Sequence, residues 1–228
     1  MSGSAVTLDR TLGELVAERP ARARILEAAG IDYCCHGQRS LGDAATAAGL
    51  DAAALVTDLS AVSDTAGVEV DTLEPGALVS HIVSTHHAYL HAELPALRAL
   101  ADKVNSVHGG RHAELAEVAR LVEALEADME PHMAKEEAVL FPAITRLFSE
   151  GGDGASLAAP VGAMTAEHEG AGGLLEQLRT VTRDYAVPAD GCASYQSLYG
   201  RLAELESDTF RHVHLENNVL FPQVLASA

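Results

Sequence analysis

The chain has 228 residues, with 33 acidic against 15 basic side chains and a formal net charge of −18. That balance argues against nucleic acid or an anionic membrane surface as partners, and no run approaches the roughly 20 apolar residues of a membrane span. Three cysteines, two of them adjacent, do not make a disulfide framework. Trp is absent and only 4% of residues are aromatic, while Ala and Leu abound, so helices are favoured and strands have little to build on.

The first ten residues, Met1 to Arg10, lack the basic and apolar regions of a signal peptide, so a cytoplasmic, reducing location is expected. Residues 1–66 are expected to form a small helical domain. Thr11 caps a short helix running to Glu18, and Pro20 opens a second that stops at Gly30. Ile31 to Gly37, carrying Cys34 and Cys35, reads as a turn. Leu41 to Ala48 and Asp51 to Val62 read as two more helices, and Ser63 to Gly67 with Val68 to Glu74 as a linker.

Residues 75–228 are expected to form an antiparallel four-helix bundle, making the fold all-α. Pro75 starts its first helix, and Pro95 kinks rather than ends it, because Leu97, Leu100 and Val104 continue the apolar stripe. Gly109-Gly110 is the turn into a second helix from Arg111 to Phe148, bent by Pro131. Ser149 to Ala159 is a Gly-rich loop, Val161 to Tyr185 a third helix, and Pro188 to Gly191 a turn into the fourth.

The bundle reading rests on an internal repeat. His132-Met133-Ala134-Lys135-Glu136, followed by Val139-Leu140-Phe141-Pro142, returns as His212-Val213-His214-Leu215-Glu216, followed by Val219-Leu220-Phe221-Pro222. A histidine and a glutamate four apart share one helix face and can offer one metal an imidazole nitrogen and a carboxylate oxygen. One such pair arises readily by chance; two at matching offsets do not. Upstream, His87 and His168 are each followed at +7, +10 and +11 by Leu, Leu and Arg. Each half thus supplies a histidine, then a long hairpin, then His-x-x-x-Glu. His87, His132, Glu136, His168, His212 and Glu216 are the candidate metal ligands, and inward imidazoles and carboxylates on facing helices are the pattern of di-iron or di-manganese bundles.

The remaining histidines carry weaker signals. His91 lies one turn beyond His87, but Gly172 takes its place in the second half, so it reads as a neighbour of the site. His86 and His214 fall about 100° and 200° of helical rotation off the seam and are expected at the surface. Glu137 aligns with Asn217, so Glu136 is preferred as ligand. His81, His108 and His112 have no counterpart in the other half; His108, at a helix end, could line an access route. The Val-Leu-Phe-Pro runs read as core that dries the site. Cys34 and Cys35 sit in an accessible turn that favours a redox or metal-handling role, whereas Cys192 reads as an inert loop residue.

Together, Asp32-Tyr33-Cys34-Cys35 with Gly37, then His87, His132-x-x-x-Glu136-Glu137 with Leu140-Phe141-Pro142, Glu167-His168, and His212-x-x-x-Glu216-Asn217-Asn218-Val219-Leu220-Phe221-Pro222 cover nearly the whole chain. The pattern resembles the di-iron iron–sulfur cluster repair proteins, built from an N-terminal cysteine-bearing domain and a hemerythrin-like bundle. The resemblance implies that the matching four histidines and two glutamates bind a non-haem di-iron centre, with both carboxylates bridging. It also implies a cytoplasmic role, often as a dimer, in restoring iron–sulfur clusters damaged by nitric oxide and oxidants. Two departures stand out: His36 replaces the first Gly of the family's Cys-Cys-Gly-Gly, and Pro131 precedes His132.

The donor set supports that chemistry on its own terms. Two imidazoles per iron, two bridging carboxylates and a solvent-derived bridge leave each ion an open position for NO, O2 or peroxide, and imidazole with carboxylate suits iron or manganese. The expected partners are damaged iron–sulfur proteins and those small ligands. A hemerythrin-like O2 or NO sensor or carrier is an alternative, as is an enzyme that reduces NO or removes peroxide. A carrier has no need of the cysteine module.

Overall fold

The computed structural model describes residues 5–62 and 70–227; the expected linker at Ser63 to Gly67 lies outside them. Among the described residues no strand forms, and no helix is long and apolar enough to cross a membrane. The contacts divide the chain into two units.

One unit comprises Met1–His81, Ile144–Ala158 and Phe210–Ala228. Its N-terminal helices are α1 (Leu12–Glu18), α2 (Ala23–Ala28), α3 (Leu41–Ala47) and α4 (Ala52–Ala61). Each start has a local cause. The Thr11 hydroxyl accepts the Glu14 amide while the Glu14 carboxylate accepts the Thr11 amide. Ser40 and Asp51 cap α3 and α4 through their side-chain oxygens. Gly30, at φ +68°, ends the α2 region in the left-handed conformation only glycine adopts at no cost.

Leu12, Leu15, Leu26, Leu41, Leu55, Leu59 and Tyr33 form a buried core against which Phe210 packs. Each buried leucine contributes about 2 kcal/mol. Arg22 is buried within this core, its guanidinium donating to the carbonyls of Leu15 and Leu59 and to the Glu18 carboxylate. Gly154 presses so closely on the Val224 carbonyl that an added Cβ would lie 2.0 Å from it.

The other unit comprises Ile82–Ala143 and Ala159–Thr209 and holds most of the bundle. Bundle helices are α5 (Pro75–Ile82), α6 (Ala88–His108), α7 (Glu114–Lys135), α8 (Phe141–Glu150), α9 (Ala158–Thr182), α10 (Ala193–His214) and α11 (Phe221–Ala226). Within this unit α6, α7, α9 and α10 close a ring of side-chain contacts. Arg98 on α6 pairs with Glu123 and Glu126 on α7. On α9, Glu167 pairs with Lys135 of α7, and Arg179 pairs bidentately with Glu206 of α10. Arg201 of α10 returns to Glu93 of α6, completing the four-helix bundle. Pro95 lies inside α6 without ending it.

Several expected boundaries move; the third bundle helix, for one, starts at Ala158 rather than Val161. The second bundle helix starts at Glu114 rather than Arg111, after a turn in which the Arg111 and His112 amides bond the His108 carbonyl. The third ends at Thr182 rather than Tyr185, because Arg183, Asp184 and Tyr185 all take positive φ and the Thr182 hydroxyl accepts the Tyr185 amide. In the expected loop at 149–159, Gly154–Leu157 forms a 3-10 turn.

Candidate metal centre

Both His-x-x-x-Glu copies end in the same backbone device. At Glu136–Leu140 and Leu215–Leu220 the α-helix widens into a π turn, closed by the Phe141 amide on the Glu136 carbonyl and by the Phe221 amide on the Glu216 carbonyl. Pro142 and Pro222 supply the cause. Neither can donate to the carbonyl four residues back, and the ring crowds that carbonyl, so the preceding turn opens. Glu136 opens the first π turn and Glu216 is the second residue of the other. A third π turn, Val83–His87, carries His87; no proline accounts for it.

Glu136 is wholly buried, and neither carboxylate oxygen has a hydrogen-bond partner. Its Oε2 instead faces two imidazoles, 3.4 Å from His87 Nε2 and 3.3 Å from His132 Nε2. His132 Nε2 lies 3.0 Å from His168 Nε2, and His212 Nε2 lies 2.8 Å from Glu216 Oε1. His87, His132, Glu136 and His168 thus converge within one unit, and His212 pairs with Glu216 within the other.

A buried carboxylate without a hydrogen bond costs several kcal/mol unless a cation takes the place of the missing donors. The 3.0 Å between the two Nε2 atoms is what two nitrogens bound at a right angle to one ion at about 2.1 Å would show. By both observations, these residues fit a metal centre.

The outer nitrogens are held as metal-binding imidazoles usually are. His87 Nδ1 donates to Glu137 Oε1 at 2.8 Å and His132 Nδ1 to Glu167 Oε2 at 2.9 Å, which leaves the Nε2 lone pairs facing Glu136. Lys135 and His132 hold the Glu167 carboxyl below its ordinary range, against the upward push of its partial burial. His91 Nε2 lies 3.5 Å from Glu137 Oε1, so it stands behind that carboxylate as a neighbour of the site. Phe141 stacks on the His87 ring at 5.6 Å and helps keep it dry. Leu140, Phe141, Val219, Leu220 and Phe221 are buried as expected, but Val139 is 65% exposed.

Two histidines expected at the surface are buried instead: His86 is 5% and His214 0% exposed. His86 lies on a face of its helix that α10 covers, and its Nδ1 donates to Asp208 at 2.9 Å. His214 packs edge-on against Tyr33, and burial, with the Arg211 charge, pushes its pKa down to about 3. Glu167 and Asp208 were not among the expected site residues. Glu167 adjoins His168 in the quoted motif, but nothing local marks Asp208.

The thiol turn is built around Asp32. Its Oδ1 accepts the amides of Cys34 and Cys35 at 2.9 and 3.0 Å and the Cys34 thiol at 3.1 Å, while Oδ2 accepts from His36 Nδ1 at 2.7 Å. Burial raises the Asp32 pKa, but the bonds from His36, Cys34 and Cys35 outweigh it and hold the carboxyl below its ordinary value. Burial, reinforced by Cys35 and Asp32, pushes the Cys34 thiol well up. The two sulfurs lie 3.7 Å apart, and only Cys35 has appreciable exposure.

Asn218, two residues after Glu216, clamps this turn by donating to the Cys34 carbonyl at 3.0 Å. A Cβ on Gly37 would meet the Asn218 side-chain oxygen at 2.1 Å and one on Gly13 at 2.6 Å, so both positions need glycine for the amide to fit.

A four-helix bundle with a buried His/Glu interior defines a hemerythrin-type cation-binding protein, and residues 78–224 match the Hemerythrin HHE cation binding domain. Residues 8–63 match a domain of unknown function, DUF542. The chain is 34% identical over 220 residues to the iron–sulfur cluster repair protein YtfE of Enterobacter sp. (strain 638), covering 96% of this chain and 97% of that one. It is 35% identical over 219 residues to the protein of that name from Edwardsiella ictaluri, covering 95% and 97%, and 32% identical over 220 residues to that of Escherichia coli O157:H7, covering 96% and 97%. The chain belongs to this family, and in this chain a DUF542 match at residues 8–63 precedes the HHE match.

Proposed function

We propose that the protein is a non-haem di-iron protein that repairs iron–sulfur clusters damaged by nitric oxide or oxidants, and that it acts in the cytoplasm. Wholly buried Glu136, without a hydrogen bond and facing two imidazole nitrogens, carries the metal reading. His87, His132, His168 and His212 are the imidazole ligands. Glu136 and Glu216 are counterparts in the internal repeat, which suits carboxylates shared by two ions. Bound iron supplies ferrous–ferric chemistry and an ion that can be passed to a damaged cluster.

The chain's own residues do the rest. Glu137 and Glu167 fix the tautomers of His87 and His132, and Phe141 excludes water from the His87 face. Partly exposed Cys35, with the buried Cys34 sulfur 3.7 Å behind it, is the soft, exchangeable group suited to handling iron or electrons. The repair role is carried over from the name of the relatives and from the presence of both domains. Free thiols among the described residues suit a reducing compartment.

The test is iron content and Mössbauer spectra of the purified protein, followed by reactivation of a nitric-oxide-damaged cluster enzyme. Two irons per chain in a coupled pair and faster recovery with the loaded protein are expected. Equal recovery with and without it overturns the repair reading.

A further inference from the structure

His108 closes α6 twenty-one residues after His87, about 30 Å along the helix, and the metal centre makes no use of it. It is 7% exposed. Its Nε2 lies 3.1 Å from Cys192 Sγ, and its Nδ1 has no hydrogen-bond partner, so the thiol is the polar contact of this buried ring. Tyr195 and His112 fix the ring plane, edge-on at 5.7 and 6.5 Å.

Cys192 itself is exposed. Its carbonyl accepts the Gln196 amide at 2.9 Å, the first bond of α10, so the sulfur stands at the positive end of a 22-residue helix. Neither residue belongs to a group of three metal donors among the described residues, which leaves thiol chemistry rather than metal binding.

We propose that Cys192, with His108 as its base, is a modification site that takes up low-molecular-weight disulfides of the glutathione type. An exposed thiol, a buried imidazole aimed at it and a helix N-terminus beside it are the surroundings of a reactive cysteine rather than an inert one. In the reaction the Cys192 S–H proton passes to His108 Nε2 and the sulfur attacks one sulfur of the disulfide. A Cys192–S–S–R bond forms as the R–S–S–R bond breaks, and the departing thiolate takes the proton from His108. The small disulfide is the oxidant and ends half as thiol and half on the protein. The helix dipole and the imidazolium both stabilise negative charge as it develops on the attacking sulfur.

The test treats the full iron-loaded protein with oxidised glutathione and follows each cysteine by peptide mass mapping. His108→Asn is expected to slow the Cys192 adduct about tenfold or more while leaving adduct formation at Cys35 unchanged, and added imidazole should restore part of the rate in His108→Ala. Equal Cys192 rates in wild type and His108→Asn overturn the proposal. A change at Cys35 as large as that at Cys192 also overturns it, by showing a global effect rather than a local base.

Discussion

His132 on α7 and His168 on α9 lie 36 residues apart in sequence, yet their Nε2 atoms approach to 3.0 Å. Two imidazole nitrogens at that distance must share a proton or a cation, since two bare lone pairs would repel. With Glu136 Oε2 3.3 Å from the same His132 nitrogen, the bundle interior is arranged for a positive charge.

Removing the carboxylate should therefore separate metal binding from stability. Glu136→Ala and Glu216→Ala are each expected to lower iron content far more than His91→Ala. Metal-free Glu136→Gln should be at least as stable as metal-free wild type, by about 1–3 kcal/mol, because a buried charge without a hydrogen bond is gone. Iron per chain and urea unfolding of the metal-free proteins check both; equal iron loss in all three alanine variants contradicts the ligand set.

The carboxylates behind the histidines act through them. Glu137→Ala and Glu167→Ala are expected to weaken metal affinity by about 10–100-fold each without abolishing binding, because the Nε2 donors remain. Chelator competition measures this, and unchanged affinity in both variants would remove their positioning role.

The Asn218 clamp makes a steric prediction. Gly37→Ala puts a methyl 2.1 Å from the Asn218 side-chain oxygen and should cost about 1–3 kcal/mol. In Gly37→Ala/Asn218→Ala the cost should be less than the sum of the single changes, since the clash has lost one partner. Denaturant midpoints of the four proteins settle it; strict additivity would mean the two residues do not meet.

Asp32 gives the thiol turn a pH dependence of defined sign. Its folded pKa lies below the ordinary value, so at neutral pH both folded and unfolded chains are ionised and its contribution is complete. As pH falls below about 4 the unfolded chain takes up the proton first, and the contribution is lost on the way down to the folded pKa. Asp32→Asn should therefore cost about 1–3 kcal/mol near pH 7, with the gap to wild type narrowing in acid. A gap that widens as pH falls would show that Asp32 is not held as an anion.

Much of this protein was legible in the residue order, because helical spacing is a local property. The doubled His-x-x-x-Glu with Leu-Phe-Pro, the aligned His87 and His168, the Thr11 capping box and the stop at Gly30 all act within a turn or two of chain. The all-helical fold and the bundle follow from that periodicity, as do the approach of His132 to Glu136 and that of His212 to Glu216.

Two kinds of fact waited for the tertiary structure. The rotation arithmetic that sent His86 and His214 to the surface finds the helix face but not what covers it: Asp208 meets the one and Tyr33 packs on the other. The other kind joins residues far apart in sequence: Asp208 with His86, Asn218 with Cys34 across 184 positions, and Cys192 with His108 across 84. No local period encodes such pairs. They exist only once packed helices bring distant side chains within hydrogen-bonding reach, and that packing is decided by the whole core rather than by any one segment.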